Sequence, residues 1–216
     1  MTRRQFVQSA ALLATGAAAS QSNLQLLRET APFHDLPRDA WRHARKNGLV
    51  MIWPNPPAHP SSVAHIADRE PGQPLVVMGQ VYAPDGQTPA PGVTVYAYNT
   101  DAAGYYGAGH TDYPPRLHGW MLTDASGHFE LHTIRPGTDP NMRDPAQIHF
   151  VLWGGGYPVQ SADPLQFTGD PLISDVVRET AGAKGMFDTI QLVTRGADGA
   201  ERCHFNIRLF AESNFY

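Results

Sequence analysis

Cysteine is nearly missing: Cys203 is the single one in 216 residues. That excludes an intramolecular disulfide framework and any zinc or iron–sulfur centre built on several thiolates. A metal in this chain must take its ligands from His, Tyr, Asp or Glu. Charge is scarce as well: 16 Lys and Arg against 20 Asp and Glu leave a formal net charge of −4, and charged residues make up 17% of the chain. No basic excess is available to neutralise a phosphate backbone, which argues against nucleic acid as a partner. The sequence also lacks a Gly-x-Ser-x-Gly elbow, a Gly-rich phosphate loop followed by Lys, and a His-Glu-x-x-His helix. Gly154-Gly155-Gly156 follows a strand without opening a helix and reads as a turn.

What is present points to one packed domain. Hydrophobic residues are 42% of the chain, enough for a sizeable core. The 20 Gly and 19 Pro fit many turns between short strands. The opening Thr2-Arg3-Arg4-Gln5-Phe6 and the small apolar run that ends in Ala17-Ala18-Ala19 have the form of an export signal. The paired arginines resemble the twin-arginine type, a receptor-read address, and the apolar run is too short to span a bilayer comfortably. Residues 1–19 are therefore expected to direct the chain to the periplasm or outside the cell. Residues 20–74 are expected to form an irregular Pro-rich arm, with one helical candidate at 37–47. Residues 75–216 form the expected domain.

Within that domain short apolar-alternating segments are separated by turn signals. Strands are expected at 76–83, 93–99, 119–123, 128–133, 147–153, 191–194 and 203–210. In the second, Val93, Val95 and Ala97 share one face and Thr94, Tyr96 and Tyr98 the other. In the last, Phe205, Ile207 and Leu209 share a face. Asp124-Ala125-Ser126-Gly127 and Arg195-Gly196-Ala197-Asp198-Gly199 read as hairpin turns. This spacing predicts an all-β fold, an antiparallel β-sandwich. Cys203 falls inside a strand and reads as an inert buried thiol.

Ten histidines are present, and His110, His118, His128, His132 and His149 crowd the central region. Imidazole suits iron, copper or zinc. His128 and His132 share a strand face but lie too far apart for easy chelation. A His-x-His pair would be a strong signal, and Gln147-Ile148-His149 supplies half of one.

Residues 75–172 resemble the intradiol ring-cleavage dioxygenases, the family of protocatechuate 3,4-dioxygenase and catechol 1,2-dioxygenase. The resemblance is carried by Gly79-Gln80-Val81-Tyr82, Pro91-Gly92-Val93-Thr94-Val95-Tyr96, Thr100-Asp101-Ala102-Ala103-Gly104-Tyr105-Tyr106 and His118-Gly119-Trp120. It continues through Thr133-Ile134-Arg135-Pro136-Gly137, Pro145-Ala146-Gln147-Ile148-His149-Phe150 and Phe167-Thr168-Gly169-Asp170-Pro171. It implies a β-sandwich and a non-haem Fe(III) held by two tyrosinates and two histidines. It further implies a catechol-like substrate that chelates the metal and is cleaved by dioxygen between its two hydroxylated carbons.

Carried over residue by residue, the resemblance places the first tyrosine on Tyr106 and the last histidine on His149. The second tyrosine position holds Asp139, in Pro136-Gly137-Thr138-Asp139-Pro140, and the first histidine position holds Gln147. The family arginine falls on Asp144, with Arg143 one place away. A phenolate reaches roughly 6 Å beyond its Cα and an Asp carboxylate less than half of that, so Asp139 replaces the tyrosine only with a backbone shift. Gln147 offers a neutral carbonyl, a weak ferric ligand. The expected metal set is Tyr106, His149, Asp139 and Gln147, with Tyr106, His149 and Arg143 as the catalytic residues. His110, Asp112 and Tyr113 are further candidate donors in the same neighbourhood.

Two functions follow from this resemblance. One is an iron oxidoreductase of the intradiol type. The other is a non-catalytic homologue: an aromatic-binding protein, or a companion subunit to an iron-bearing chain, as the protocatechuate enzymes pair an iron-bearing chain with a related one lacking the ligands. A homo-oligomer or such a hetero-oligomer is the expected assembly. A third reading, a different metal or a metal-free lyase or isomerase using His and Asp as acid and base, has no residue pattern that singles it out.

Overall fold

The computed structural model describes residues 57–108 and 115–214. The export signal, the helical candidate at 37–47, most of the arm, and His110, Asp112 and Tyr113 lie outside the described residues.

Two six-stranded sheets pack face to face. The strands are β1 (Val63–His65), β2 (Pro74–Tyr82), β3 (Val93–Asn99), β4 (Leu117–Leu122), β5 (His128–Ile134), β6 (Gln147–Gly154), β7 (Tyr157–Ser161) and β8 (Leu165–Phe167). A helix α1 (Asp175–Gly182) precedes β9 (Ile190–Gln191), β10 (Thr194–Arg195), β11 (Glu201–His204) and β12 (Ile207–Arg208). The first sheet runs β1-β5-β2-β11-β10, with β12 also on β2. The second runs β4-β3-β6-β8-β9, with β7 on β6. The all-β sandwich expected from the alternation is the observed architecture. It is not purely antiparallel: β1 with β5, β11 and β12 with β2, and β8 with β9 are parallel.

The period-two patterns sort the side chains. Val93, Val95 and Ala97 from β3, with Ile148, Phe150 and Leu152 from β6, face Leu75, Val77, Leu131 and Phe205 of the first sheet. Phe150 bridges the layers, its ring 6.0 Å from Phe129 and 5.1 Å from Phe205. Phe205, Ile207 and Leu209 are all buried, and so is Cys203, whose thiol is pushed up to about 12 by its burial. Gly154, Gly155 and Gly156 turn β6 into β7, all three with positive φ.

Three local expectations differ from the structure. The reversal at Asp124 exists: Asp124 Oδ1 accepts from the backbone N–H groups of Ser126 and His128 at 2.8 and 2.9 Å. It joins different sheets, so it is a corner and not a hairpin. β4 is committed to β3, and Thr123 bonds Val93 through both its backbone N–H and its Oγ1, while β5 pairs with β2. The segment 203–210 is two strands, because the side chain of Asn206 interrupts the ladder by accepting the Gln80 N–H at 3.2 Å. The turn at 195–199 does close a short hairpin, β10 on β11. Helix α1 was not anticipated. Ser174 caps it through Val177 N–H and Asp175 sits in its first turn, but only Ala181 is buried, so no apolar stripe announces it.

The two faces of β6 make different demands. Phe150→Ala is expected to cost about 3–5 kcal/mol, as for a large aromatic removed from a closed core. His149→Ala, on the opposite face, is expected to cost clearly less, with both read from urea-denaturation midpoints.

Candidate metal centre

The site stands on the outer face of the second sheet. β3 and β6 pair with Tyr98 opposite His149 and Ala97 opposite Phe150. Since Phe150 points into the core, His149 and Gln147 point outward. The start of β6 is fixed by Asp170, a buried carboxylate that accepts the Ala146 N–H at 2.9 Å and the Leu172 N–H at 2.9 Å.

Tyr106 arrives from the loop after β3. Asp101 shapes that loop: its Oδ1 accepts from Ala103 and Tyr105 N–H at 2.9 and 3.0 Å, and its backbone N–H donates to the Tyr105 carbonyl. Gly104, at φ +90°, lies so close to the Thr138 carbonyl that a Cβ would collide with it. This glycine lets the Tyr106 loop and the Asp139 loop touch. Arg116 fastens the far side, donating its backbone N–H to the Tyr106 carbonyl at 2.7 Å and its guanidinium to both carboxylate oxygens of Glu70.

The result is a direct contact: Tyr106 Oη lies 2.8 Å from His149 Nε2. Tyr98 stacks on the imidazole, with centroids 4.8 Å apart and planes 15° apart. Burial lowers the His149 pKa to about 4, partly opposed by the Asp144 charge, so the ring is neutral at pH 7. Burial raises the Tyr106 phenol well above its usual value. The Tyr98 phenol and the Asp144 and Asp139 carboxylates push the same way, and a hydrogen bond with Gln147 opposes them.

The remaining candidates divide. Gln147 lies on the same outward face of β6, two residues before His149. Asp139 turns to Arg143, accepting its Nε–H at 3.0 Å and its backbone N–H at 3.1 Å, which holds the carboxyl below its usual range. Arg143 sits in the same turn with 68% of its side chain exposed. His118 lies on the outer face across Tyr98 from His149, two strand spacings or about 10 Å away. His128 and His132 belong to the first sheet, where His132 stacks on His65 and pairs with Glu130. Tyr98 carries no site role in the sequence pattern, and Asp144 enters it only as the residue at the family arginine position. Tyr98 was assigned to the correct face, but only the strand register puts it on His149.

These donors bear on a metal as follows. Metal bonds of roughly 2.1 Å to imidazole and oxygen, set at a right angle, place the two donor atoms about 3 Å apart. The Tyr106–His149 separation fits two adjacent ligands of one ion, with Gln147 as a weak third. Among the described residues no cluster of three or more His, Cys, Asp or Glu is placed to hold a metal.

Comparison with known proteins gives the ancestry. Residues 52–211 match the family described as Dioxygenase. The chain belongs to the intradiol dioxygenase family. Over 114 residues this family member is 31% identical to the protocatechuate 3,4-dioxygenase beta chain of Burkholderia cepacia, a match covering 48% of either chain. It thus spans about half the length of that relative. The dioxygenase domain of a dioxygenase–carbohydrate-binding fusion from Streptomyces sp. SirexAA-E is 27% identical, with a TM-score of 0.51 over 73% of this chain and 90% of that one. Catechol 1,2-dioxygenase from Acinetobacter sp. ADP1 is 17% identical, with a TM-score of 0.54 over 98% and 79%, a likeness of fold.

The Glu70–Arg116 tie gives an acid dependence. Its hydrogen bonds to Arg116 hold the Glu70 carboxyl below 4.5. The unfolded chain therefore takes up the proton first, and the stabilisation is complete above about pH 4.5 and lost as pH falls through the folded value. Glu70→Gln is expected to remove that component, at most about 1 kcal/mol for a partly exposed pair, from urea midpoints compared between pH 7 and 3.

Proposed function

We propose that the chain is an iron-dependent oxidoreductase that opens a catechol-like ring between its two hydroxylated carbons with dioxygen. The observation that carries this reading is the 2.8 Å approach of Tyr106 Oη to His149 Nε2, in a chain of the dioxygenase family. Tyr106 and His149 would hold the ion, with Gln147 beside them. A bound ferric ion supplies a Lewis-acidic centre for both oxygens of the diol. The reaction closes without a further reductant, since both atoms of dioxygen enter the product and the two diol carbons become carboxyl carbons.

The chain's own groups prepare this site. The neutral His149 keeps a lone pair on one ring nitrogen at pH 7, presented at Nε2 in the tautomer protonated at Nδ1, and Tyr98 stacks on the ring plane. Burial, joined by the Asp144 and Asp139 charges, disfavours the Tyr106 phenolate, and a cation held by Tyr106 and His149 would reverse that preference.

A second reading is favoured by one observation. Asp139 is spent on Arg143 and does not replace the missing phenolate, which suits an aromatic-binding companion to an iron-bearing homologue.

Metal analysis and visible spectroscopy separate the two. The chain produced with its export signal intact is expected to carry iron and a tyrosinate-to-iron absorption band and to consume catechol with uptake of dioxygen. Tyr106→Phe is expected to lose the band, and Tyr106→Phe and His149→Ala to lower iron content at least tenfold. Iron-free protein with no band after iron loading sinks the catalytic reading. Co-purification with an iron-bearing homologue, without turnover by the isolated chain, establishes the companion role.

A further inference from the structure

The outer face of the second sheet carries a continuous row of rings, of which the chemistry above uses only Tyr106 and Tyr98. From Tyr106 the row passes to Tyr98 at 5.8 Å between centroids, then to Tyr96 at 5.6 Å, Trp120 at 4.3 Å and Trp153 at 5.0 Å. The strand register builds it, setting Trp120 opposite Tyr96 and placing Trp153 one pleat further along β6. Tyr96 is fully buried and Trp120 is 8% exposed, whereas Trp153 is only partly buried.

The composition of the row is selective. Every ring in it is Tyr or Trp, the aromatic side chains that lose an electron most readily. Phe129, Phe150, Phe167 and Phe205, which do not, all lie in the core between the sheets. Burial of a Trp on an outer face is ordinarily accompanied by a partner for its indole N–H. Here Trp120 Nε1 is buried with no hydrogen-bond acceptor among the described residues. An indole without an acceptor keeps its proton when oxidised, so a hole on it passes on without waiting for a proton.

We propose that these five rings form a relay that carries an electron hole between the candidate centre and the protein surface. In the metal-free chain Tyr106 gives one electron to a superoxide- or peroxyl-class radical, which becomes the corresponding peroxide anion, and its phenolic proton moves along the 2.8 Å bond to His149 Nε2; a Tyr106 already held as phenolate by a cation gives the electron with no proton to move. An electron from Trp120, passed across the intervening Tyr96 and Tyr98 rings, refills Tyr106, which takes its proton back where it had shed one. Trp153 refills Trp120, and a thiol or ascorbate-type reductant in solution refills Trp153. The relay's use during turnover rests on the oxidative function proposed above. It drains an oxidant that has failed to react with substrate before that oxidant damages the site.

The relay is tested in metal-free protein, run in the reverse direction. In a Trp41→Phe, Trp53→Phe background, pulse-generated azidyl radicals oxidise the accessible indole of Trp153. The indole-radical absorption is expected to decay by a first-order process, independent of protein concentration, as tyrosyl absorption rises. Trp120→Phe is expected to slow that transfer at least tenfold, and Tyr106→Phe to abolish the tyrosyl rise. An unchanged rate in Trp120→Phe, or an unchanged tyrosyl rise in Tyr106→Phe, overturns the relay. If Trp120→Phe does not fold, Tyr106→Phe, which removes a single hydroxyl, decides alone. Iron content is measured separately, so a chain that relays without binding iron refutes the oxidative function and keeps the relay, and the converse result does the opposite.

Discussion

The alternation of β6 against β3 is the constraint from which the rest follows. One strand face drives Ile148, Phe150 and Leu152 into the inter-sheet core, and the other presents Gln147, His149, Val151 and Trp153. A slip of one residue would exchange the two sets, placing a histidine in the core and a phenylalanine at the site. The energy that enforces the register comes from apolar burial and is indifferent to chemistry. The site inherits its geometry from that packing, and Asp170 pins the strand at the point where the site begins.

This explains what could be read from residues alone. Alternation in 93–99 and 147–153 identified the strands, and motif order placed Tyr106 and His149 at matching positions. Their meeting at 2.8 Å depends on register and on the Gly104 contact, which no local pattern encodes. The parallel pairings of β1, β8, β11 and β12 were illegible for the same reason, since pairing direction is decided by partners remote in the chain. The Asp124 corner misled because an Asx-stabilised reversal has the same local chemistry whether its strands pair or part company. The fate of Asp139 was hidden in a turn, where Arg143 four residues on could fold back on it.

The site's electrostatics are those of two neutral groups kept neutral by enclosure. Burial dominates at both His149 and Tyr106, pushing one pKa down and the other up. Asp144, where the family resemblance places an arginine, adds negative charge facing both groups. A site with that sign favours cations over anions.

The Tyr106 loop touches three stretches of chain that are distant in sequence: Glu70 through Arg116, the Asp139 loop through Gly104, and His149 on β6. None of these attachments belongs to the inter-sheet core. The loop therefore constitutes a separable cooperative unit, able to detach at a free-energy cost below that of global unfolding. Amide hydrogens around Tyr106 would then exchange ahead of those in β3 and β6, and the candidate site would be assembled only after the scaffold beneath it is already solid.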